Sequence, residues 1–119
     1  MFFALLAAVL WLAWMPEPPE IVDTGWDKLN HVLAFGALGV AGRFGFVPEP
    51  PRAAPVAGVA LALLAIGVGI ELVQGLLPAR MADGRDVAAD AVGIAAGLLL
   101  AHLSSKMLQS VCSKRGLSK

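Results

Sequence analysis

The sequence has few charged residues and lacks the features typical of soluble or nucleic-acid-binding proteins. Charged residues make up 15% of its 119 residues and apolar residues 58%, whereas soluble domains are nearer one quarter charged and one half apolar. The formal net charge is zero and there is no Lys/Arg-rich run, so no nucleic-acid partner is indicated. The single cysteine, Cys112, cannot form an internal disulfide and has no metal-site spacing.

The apolar residues form four blocks that are separated by short polar joints. So small a chain cannot hide this much apolar surface in one soluble core, and a membrane span needs about 20 apolar residues. We therefore predict an all-α membrane protein with one domain over residues 1–119 and membrane lipids as its surroundings. The predicted transmembrane helices cover about 1–15, 29–47, 53–77 and 87–103, followed by a cytoplasmic tail over 104–119.

The first block is short for a membrane span. It can be a tilted or bilayer-thinning span, or a helix that begins upstream of Met1. A signal peptide is the alternative, and it is disfavoured because no basic n-region and no A-x-A site precede "MPEPPE". We therefore count the block as the first of four spans.

The distribution of Lys and Arg predicts the orientation of the spans. The tail is basic, and the second joint contains Arg52, with Arg43 expected to reach the interface from the end of span two. The first joint is acidic, and the third joint has mixed charge. Because basic segments stay in the cytoplasm, we predict a multi-pass protein of the cytoplasmic membrane with both termini inside. Tryptophans 11, 14 and 26 then lie at the outer interface, where indole rings are enriched.

Polar residues from three spans converge at the predicted outer end. Residues three or four apart share a helix face, and the stripe from Asp86 through Asp90 to Gly93 and Gly97 is the clearest example. An ionised residue that faced lipid would cost about 2.5–3.5 kcal/mol, so these groups are expected to point inward. The proposed functional cluster is Asp27, Lys28, His31, Glu71, Gln74, Arg80, Arg85, Asp86 and Asp90.

Each member of this cluster has a structural alternative. Asp27 and Lys28 can be ordinary solvated flanks of a helix, and His31 can be a satisfied packing residue. Glu71 can form a purely structural ion pair with Arg80. Asp90 can be a neutral acid that joins two helices by a hydrogen bond. The convergence of the whole set at one depth favours a functional site over these separate explanations.

Four short motifs resemble those of the VanZ-like membrane protein family. They are "DKLNHVLAF", "ELVQ", "RMADGRD" and "DAVG", which occur in this order between Trp26 and Gly97. The family usually has Asn at the position of Asp90. The resemblance implies an envelope protein linked to reduced sensitivity to teicoplanin more than to vancomycin, and its biochemical activity is not implied.

Three kinds of function fit these residues. In the first, the cluster binds an amphiphile at the outer leaflet, either a lipid-linked envelope precursor or a glycopeptide antibiotic, with Lys28, Arg80 and Arg85 holding a phosphate or carboxylate. In the second, the chain is an intramembrane enzyme that uses His31 and the carboxylates for acid–base or metal chemistry. In the third, the chain is a structural or chaperone-like membrane component, and the cluster only stabilises the packing of its helices.

The sequence does not decide whether the chain is an enzyme. It contains no metalloprotease motif with two histidines on one helix and no G-x-S-x-G elbow. The chain has two histidines in all, and His102 is expected on the opposite side of the membrane. No cofactor and no metal are therefore assigned from the sequence.

Overall fold

A computed structural model describes residues 1–15, 27–77 and 84–116, and every regular element in these ranges is a helix. In chain order they are α1 (Phe2–Trp14), α2 (Asp27–Phe46), α3 (Ala53–Gln74) and α4 (Gly84–Lys114). The prediction of an all-α chain is confirmed. Trp26, Arg80 and the side chain of Asp27, on which parts of the sequence prediction rest, lie outside the described residues.

Proline separates α2 from α3, as the sequence predicts, and α4 is longer than the span predicted within it. The run "VPEPPR" follows α2, and proline is unfavourable inside a helix because it lacks an N–H. The predicted span over 87–103 lies within α4, which continues to Lys114. The apolar run stops near 103, but no Gly or Pro interrupts the helix until Gly116, which has a φ of 66° and ends helices well in that conformation.

Side-chain contacts at the helix ends define how the four helices are arranged. Phe2 at the start of α1 packs edge-to-face on Phe46 at the end of α2, with ring centroids 5.0 Å apart. At the opposite end, Gln74 of α3 donates a hydrogen bond to the carbonyl oxygen of Ala13 in α1. Consecutive helices therefore run antiparallel. We call the end where α3 finishes and α2 and α4 begin the cluster end, and the opposite one the Arg43 end.

The closest helix pair is α2 with α4, which run parallel to each other and make the most extensive contact in the bundle. Glycine allows this approach. A Cβ atom on Gly97 would collide with the backbone of Gly36, and one on Gly93 would lie 2.5 Å from the carbonyl oxygen of Val32. Small residues at such interfaces let two helix backbones meet in lipid, and the glycine stripe of the sequence predicts this contact face.

Two of the described helices, α3 and α4, are long and apolar enough to cross a membrane, while α1 is apolar but shorter. Most residues in the most apolar 18-residue segments of these helices are not buried. Only 22% of this segment in α3 and 33% of it in α4 are buried inside the bundle. Exposed leucines such as Leu61 and Leu72 cover the outer face of α3. The predicted four spans thus correspond to four helices, two of which meet the length and hydropathy of a span.

An apolar groove of about 400 Å³ runs between α1 and α3 toward the Arg43 end. Phe2 and Phe3 line it on one side, and Val59, Ala62 and Ile66 line it on the other. The described residues that line it are all apolar or glycine. The groove is therefore separate from the polar residues that the sequence singles out.

Candidate functional site

Four buried polar side chains meet at the cluster end. His31 comes from the second turn of α2, Glu71 from the last turn of α3, and Asp86 and Asp90 from the first two turns of α4. Each is less than one tenth exposed, and Asp90 is fully buried. Residues 59 positions apart in sequence are in direct contact here, so the parallel packing of α2 and α4 builds the site.

The shortest contact in this group joins His31 to Asp90. Nδ1 of the imidazole and Oδ1 of the carboxyl group are 2.6 Å apart and buried, which is a short, charge-assisted geometry. Gly67 on α3 makes room for the acid, because a Cβ atom there would lie 2.6 Å from Asp90 Oδ2. Asp90 therefore fixes the orientation of the imidazole ring, and α3 has no side chain in the way.

The other ring nitrogen of His31 faces two carboxylates from two different helices. Nε2 lies 3.8 Å from Glu71 Oε1 and 3.7 Å from Asp86 Oδ2. The second oxygen of Asp86, Oδ1, lies 3.6 Å from the Lys28 ammonium group, which is about one third exposed. In the part of the chain that the structure describes, the site is thus an imidazole between three carboxylates, with Lys28 at its edge.

The remaining predicted members of the cluster lie apart from this centre or outside the described residues. Gln74 is buried, but its amide donates to Ala13 O at 2.7 Å, which ties α3 to α1. Arg85 is exposed in the first turn of α4. Arg80, and with it the expected Glu71–Arg80 pair, lies outside the described residues, as does the side chain of Asp27.

A second polar group, at the Arg43 end, was not predicted from the sequence. Arg43, which the sequence predicts to reach toward the interface, is 2% exposed, and its Nη2 donates to Glu49 Oε1 at 2.6 Å. The same carboxylate accepts from Ser105 Oγ at 2.9 Å and from Gln109 Nε2 at 3.3 Å. An arginine inside an apolar span, followed six residues later by a glutamate, was the signal in the sequence. We call this group the Glu49 lock, because it joins the segment after α2 to α4.

The Glu49 lock predicts a specific dependence of stability on pH. The hydrogen bond from Arg43, followed by that from Ser105, lowers the pKa of the Glu49 carboxyl group. A carboxylate whose pKa is lowered by folding stabilises the protein above its unfolded pKa. We expect Glu49→Gln to unfold more easily than wild type near pH 7. This difference in stability between the two proteins should shrink as the pH falls below about 4.3, the ordinary glutamate pKa. It should vanish when the pH is below the lowered pKa of Glu49 in the folded protein.

Thermal unfolding in detergent across this pH range measures the difference, since the contributions of the other carboxyl groups cancel between the two proteins. Ser104→Ala is the matched control, because Ser104 is exposed beside Ser105 on the same helix. It should behave like wild type at every pH. A wild type and Glu49→Gln pair with equal stability at pH 7 would contradict the lock.

Comparison with models of protein families, with curated proteins and with solved structures gives no match for this chain. The described residues themselves define the class of protein. It is an all-α bundle with two helices able to cross a membrane and a buried histidine–carboxylate site at one end.

Proposed function

We propose that the chain is a multi-pass protein of the cytoplasmic membrane that binds the polar part of an amphiphile at the outer leaflet. The ligand is a lipid-linked envelope precursor or a glycopeptide antibiotic with a lipid tail. One observation carries the proposal: His31, Glu71, Asp86 and Asp90 come together at one end of a bundle whose other surfaces are largely apolar.

The exposed apolar faces of α3 and α4 support the membrane location. The core helix of a soluble protein is mostly buried, but only 22% of the most apolar segment of α3 and 33% of that of α4 are buried. Contiguous exposed apolar surface on this scale marks contact with a membrane or a partner. In this proposal all four helices lie in the bilayer, and the basic tail and the segment after α2 face the cytoplasm.

The burial of charged groups supports a functional site over a purely structural one. Replacing buried ionic groups by apolar residues of similar size is often neutral or stabilising, so stability alone does not require a histidine and three acids. Ionisable residues within spans are expensive and are typical of functional sites. Lys28, which is partly exposed beside Asp86, is placed to meet an anionic group that arrives from outside.

The resemblance to the VanZ-like family supports the choice of ligand. The motif residues His31, Glu71 and Asp90 of the resemblance are those whose side chains meet at the cluster end. The family's link to teicoplanin, which has a fatty acyl chain, is consistent with a site that lies beside lipid. The choice between an antibiotic and an envelope precursor depends on the following experiment.

Antibiotic susceptibility of a sensitive Gram-positive host tests the proposal. We expect wild type to raise the inhibitory concentration of teicoplanin and to leave that of vancomycin unchanged. Glu71→Gln removes one buried charge with almost no change in volume and should abolish the increase. Arg80→Ala tests in the same way whether a residue of the joint before α4 takes part. Membrane levels of all proteins are matched before the comparison.

Gly69→Ala is the control, because a Cβ atom on Gly69 meets no neighbour within 4 Å. It should protect as well as wild type does. If Glu71→Gln also protects fully, the cluster is structural and the proposed site is wrong. If wild type protects against neither drug, the antibiotic is not the ligand, and lipid-linked precursors of the same cells are compared instead.

The contact between His31 and Asp90 favours an intramembrane enzyme as the second candidate function. An acid that bonds Nδ1 and leaves Nε2 to exchange a proton is the arrangement of a general acid–base histidine, and Asp90 bonds Nδ1 of His31 in this way. Such an enzyme would act on a lipid headgroup. Turnover of a lipid-linked phosphate by the purified protein, lost in His31→Gln, supports this alternative, and its absence with natural lipid substrates contradicts it.

A further inference from the structure

We propose that His31, Glu71 and Asp86 bind one divalent transition-metal ion, with Zn²⁺ as the ion that best fits their ligand atoms. Each residue offers one ligand atom, and the three atoms lie within 4.8 Å of one another. All three side chains are buried, and they come from three different helices. The sequence leaves metal chemistry by His31 and the carboxylates open as one alternative and assigns no metal to them.

The hydrogen bond from Asp90 prepares His31 for this role. Metal-binding histidines almost always use their second ring nitrogen to bond a carboxylate or a carbonyl group, which fixes the tautomer and makes the ligating nitrogen more basic. In His31, Nδ1 bonds Asp90 at 2.6 Å, so that Nε2 is the nitrogen directed at Glu71 and Asp86. Asp90 is therefore a positioning residue for the ion.

The distances from Nε2 of His31 to the two carboxylate oxygens fit three atoms that bind one metal ion better than they fit direct hydrogen bonds. Separations of 3.7 and 3.8 Å to the two carboxylate oxygens exceed the 2.7–3.2 Å or so of an N–H···O hydrogen bond. Ligand atoms about 2.0–2.2 Å from a tetrahedral Zn²⁺ lie about 3.3–3.6 Å from each other. Small side-chain rotations would bring all three atoms onto one ion.

The chemistry of the ligand atoms selects the metal. One imidazole nitrogen suits Zn²⁺ and other first-row ions, whereas Mg²⁺ and Ca²⁺ prefer oxygen alone. Three protein ligands leave a fourth position of a zinc ion open to an exchangeable ligand. Lys28 lies near the Asp86 oxygen that does not face His31, so it can orient this carboxylate without occupying the ion's position.

This inference deepens the proposed function and rests on the same cluster. Two of the atoms that would hold the ion are carboxylate oxygens, from Glu71 and Asp86, and carboxylates repel a phosphate. A bound divalent cation reverses the local electrostatics, and its open position can accept a phosphate oxygen. The metal would therefore be the group that lets an acidic site hold a phosphorylated headgroup.

Zinc binding by the purified chain tests the inference without any lipid ligand. The protein is prepared in detergent without a polyhistidine tag, stripped with a chelator, and titrated with Zn²⁺ in equilibrium dialysis with elemental analysis. We expect saturation at one ion per chain. His31→Gln, Glu71→Gln and Asp86→Asn should each weaken binding by more than about tenfold, which corresponds to about 1.4 kcal/mol. Asp90→Asn keeps an acceptor for Nδ1–H and should weaken zinc binding about tenfold. This is the lower end of the loss in metal affinity when a residue that bonds a ligating histidine is replaced.

His102→Gln is the matched control, since His102 is the other histidine and lies three turns beyond Asp90 on α4. It should bind zinc as tightly as wild type. Circular dichroism verifies that each variant keeps its helices, and Co²⁺ absorption bands report the ligand field independently of affinity. Saturation well below one ion per chain, or equal affinity of wild type and His31→Gln, would show an adventitious ion only and overturn the inference.

The zinc and susceptibility experiments fail independently. Stoichiometric zinc that depends on His31, together with unchanged susceptibility to both drugs, would retain the metal site and reject the antibiotic as ligand. Teicoplanin protection that depends on Glu71, without zinc binding, would retain the amphiphile site and reject the metal.

Discussion

Gly97→Ala is expected to separate α2 from α4 and to destabilise the folded bundle by about 2 kcal/mol or more. The added methyl group would collide with backbone atoms of Gly36, and no flexible side chain can move aside to admit it. Overpacking a tight interface typically costs about 1–3 kcal/mol. Since α2 contributes His31 and α4 contributes Asp86 and Asp90, this variant should lose the site together with the fold.

Unfolding in a mixture of mild detergent and increasing SDS, followed by helix content, measures this effect. Gly69→Ala is the control within the same bundle, since a Cβ atom there has no neighbour within 4 Å. It should unfold at the same SDS fraction as wild type or later, because alanine is favoured over glycine in a helix by up to about 1 kcal/mol. If the two alanine variants unfold alike, the close packing of α2 on α4 is wrong.

Asp90→Ala is the second substitution with a large expected effect, and it acts on the site more than on the helix packing. Asp90 is fully buried and makes the shortest contact of His31. Removing one member of a buried charged pair costs about 3–5 kcal/mol, because its partner stays buried without compensation. We expect a loss of about 3 kcal/mol in the free energy of unfolding.

Asp90→Asn separates the need for a hydrogen-bond acceptor from the need for a charge. An asparagine side-chain oxygen can accept from Nδ1 of His31, so the cost should stay below about 1.5 kcal/mol, the upper range for one hydrogen bond. The comparison is made by SDS unfolding at neutral pH, and equal stability of Asp90→Ala and Asp90→Asn would contradict the proposed role of the contact.

Much of the fold follows from local features of the chain. The apolar blocks predict the helices, because each can satisfy its backbone hydrogen bonds within one segment, and the prolines after Val47 separate α2 from α3. The predicted span over 87–103 follows the apolar run, whereas α4 extends beyond that run to Lys114. A helix ends where its backbone is interrupted, and Gly116 is the first residue that does so.

The candidate site was only partly visible in the sequence. Helical spacing places Asp86 and Asp90 on one face, but it does not reveal which of them meets His31. That contact depends on the relative rotation and register of α2 and α4, which Gly36 and Gly97 set by direct backbone contact. Gln74 has the right spacing for the cluster and yet bonds Ala13, since it lies one turn beyond Glu71 where α3 meets α1.

The Glu49 lock likewise combines residues visible in the sequence with a contact that only the packing of the helices produces. Arg43 is typical of a side chain that extends to the interface, and nothing local to α2 predicts its burial. Glu49 and Ser105 are 56 residues apart in sequence, so their contact arises only when α4 packs beside the end of α2. A buried arginine becomes acceptable once a carboxylate is placed 2.6 Å away.

The sequence by itself determined the helical class, the apolar blocks and the set of polar residues that lie within or beside them. These properties depend on composition and on the period of the helix, which act within one segment. The tertiary structure decided which polar groups touch, that Asp90 holds His31, and that Glu71 and Asp86 face the same imidazole nitrogen. Those outcomes depend on how closely three helices approach one another. Glycines on the helices allow this close approach, and their effect appears only when the helices meet.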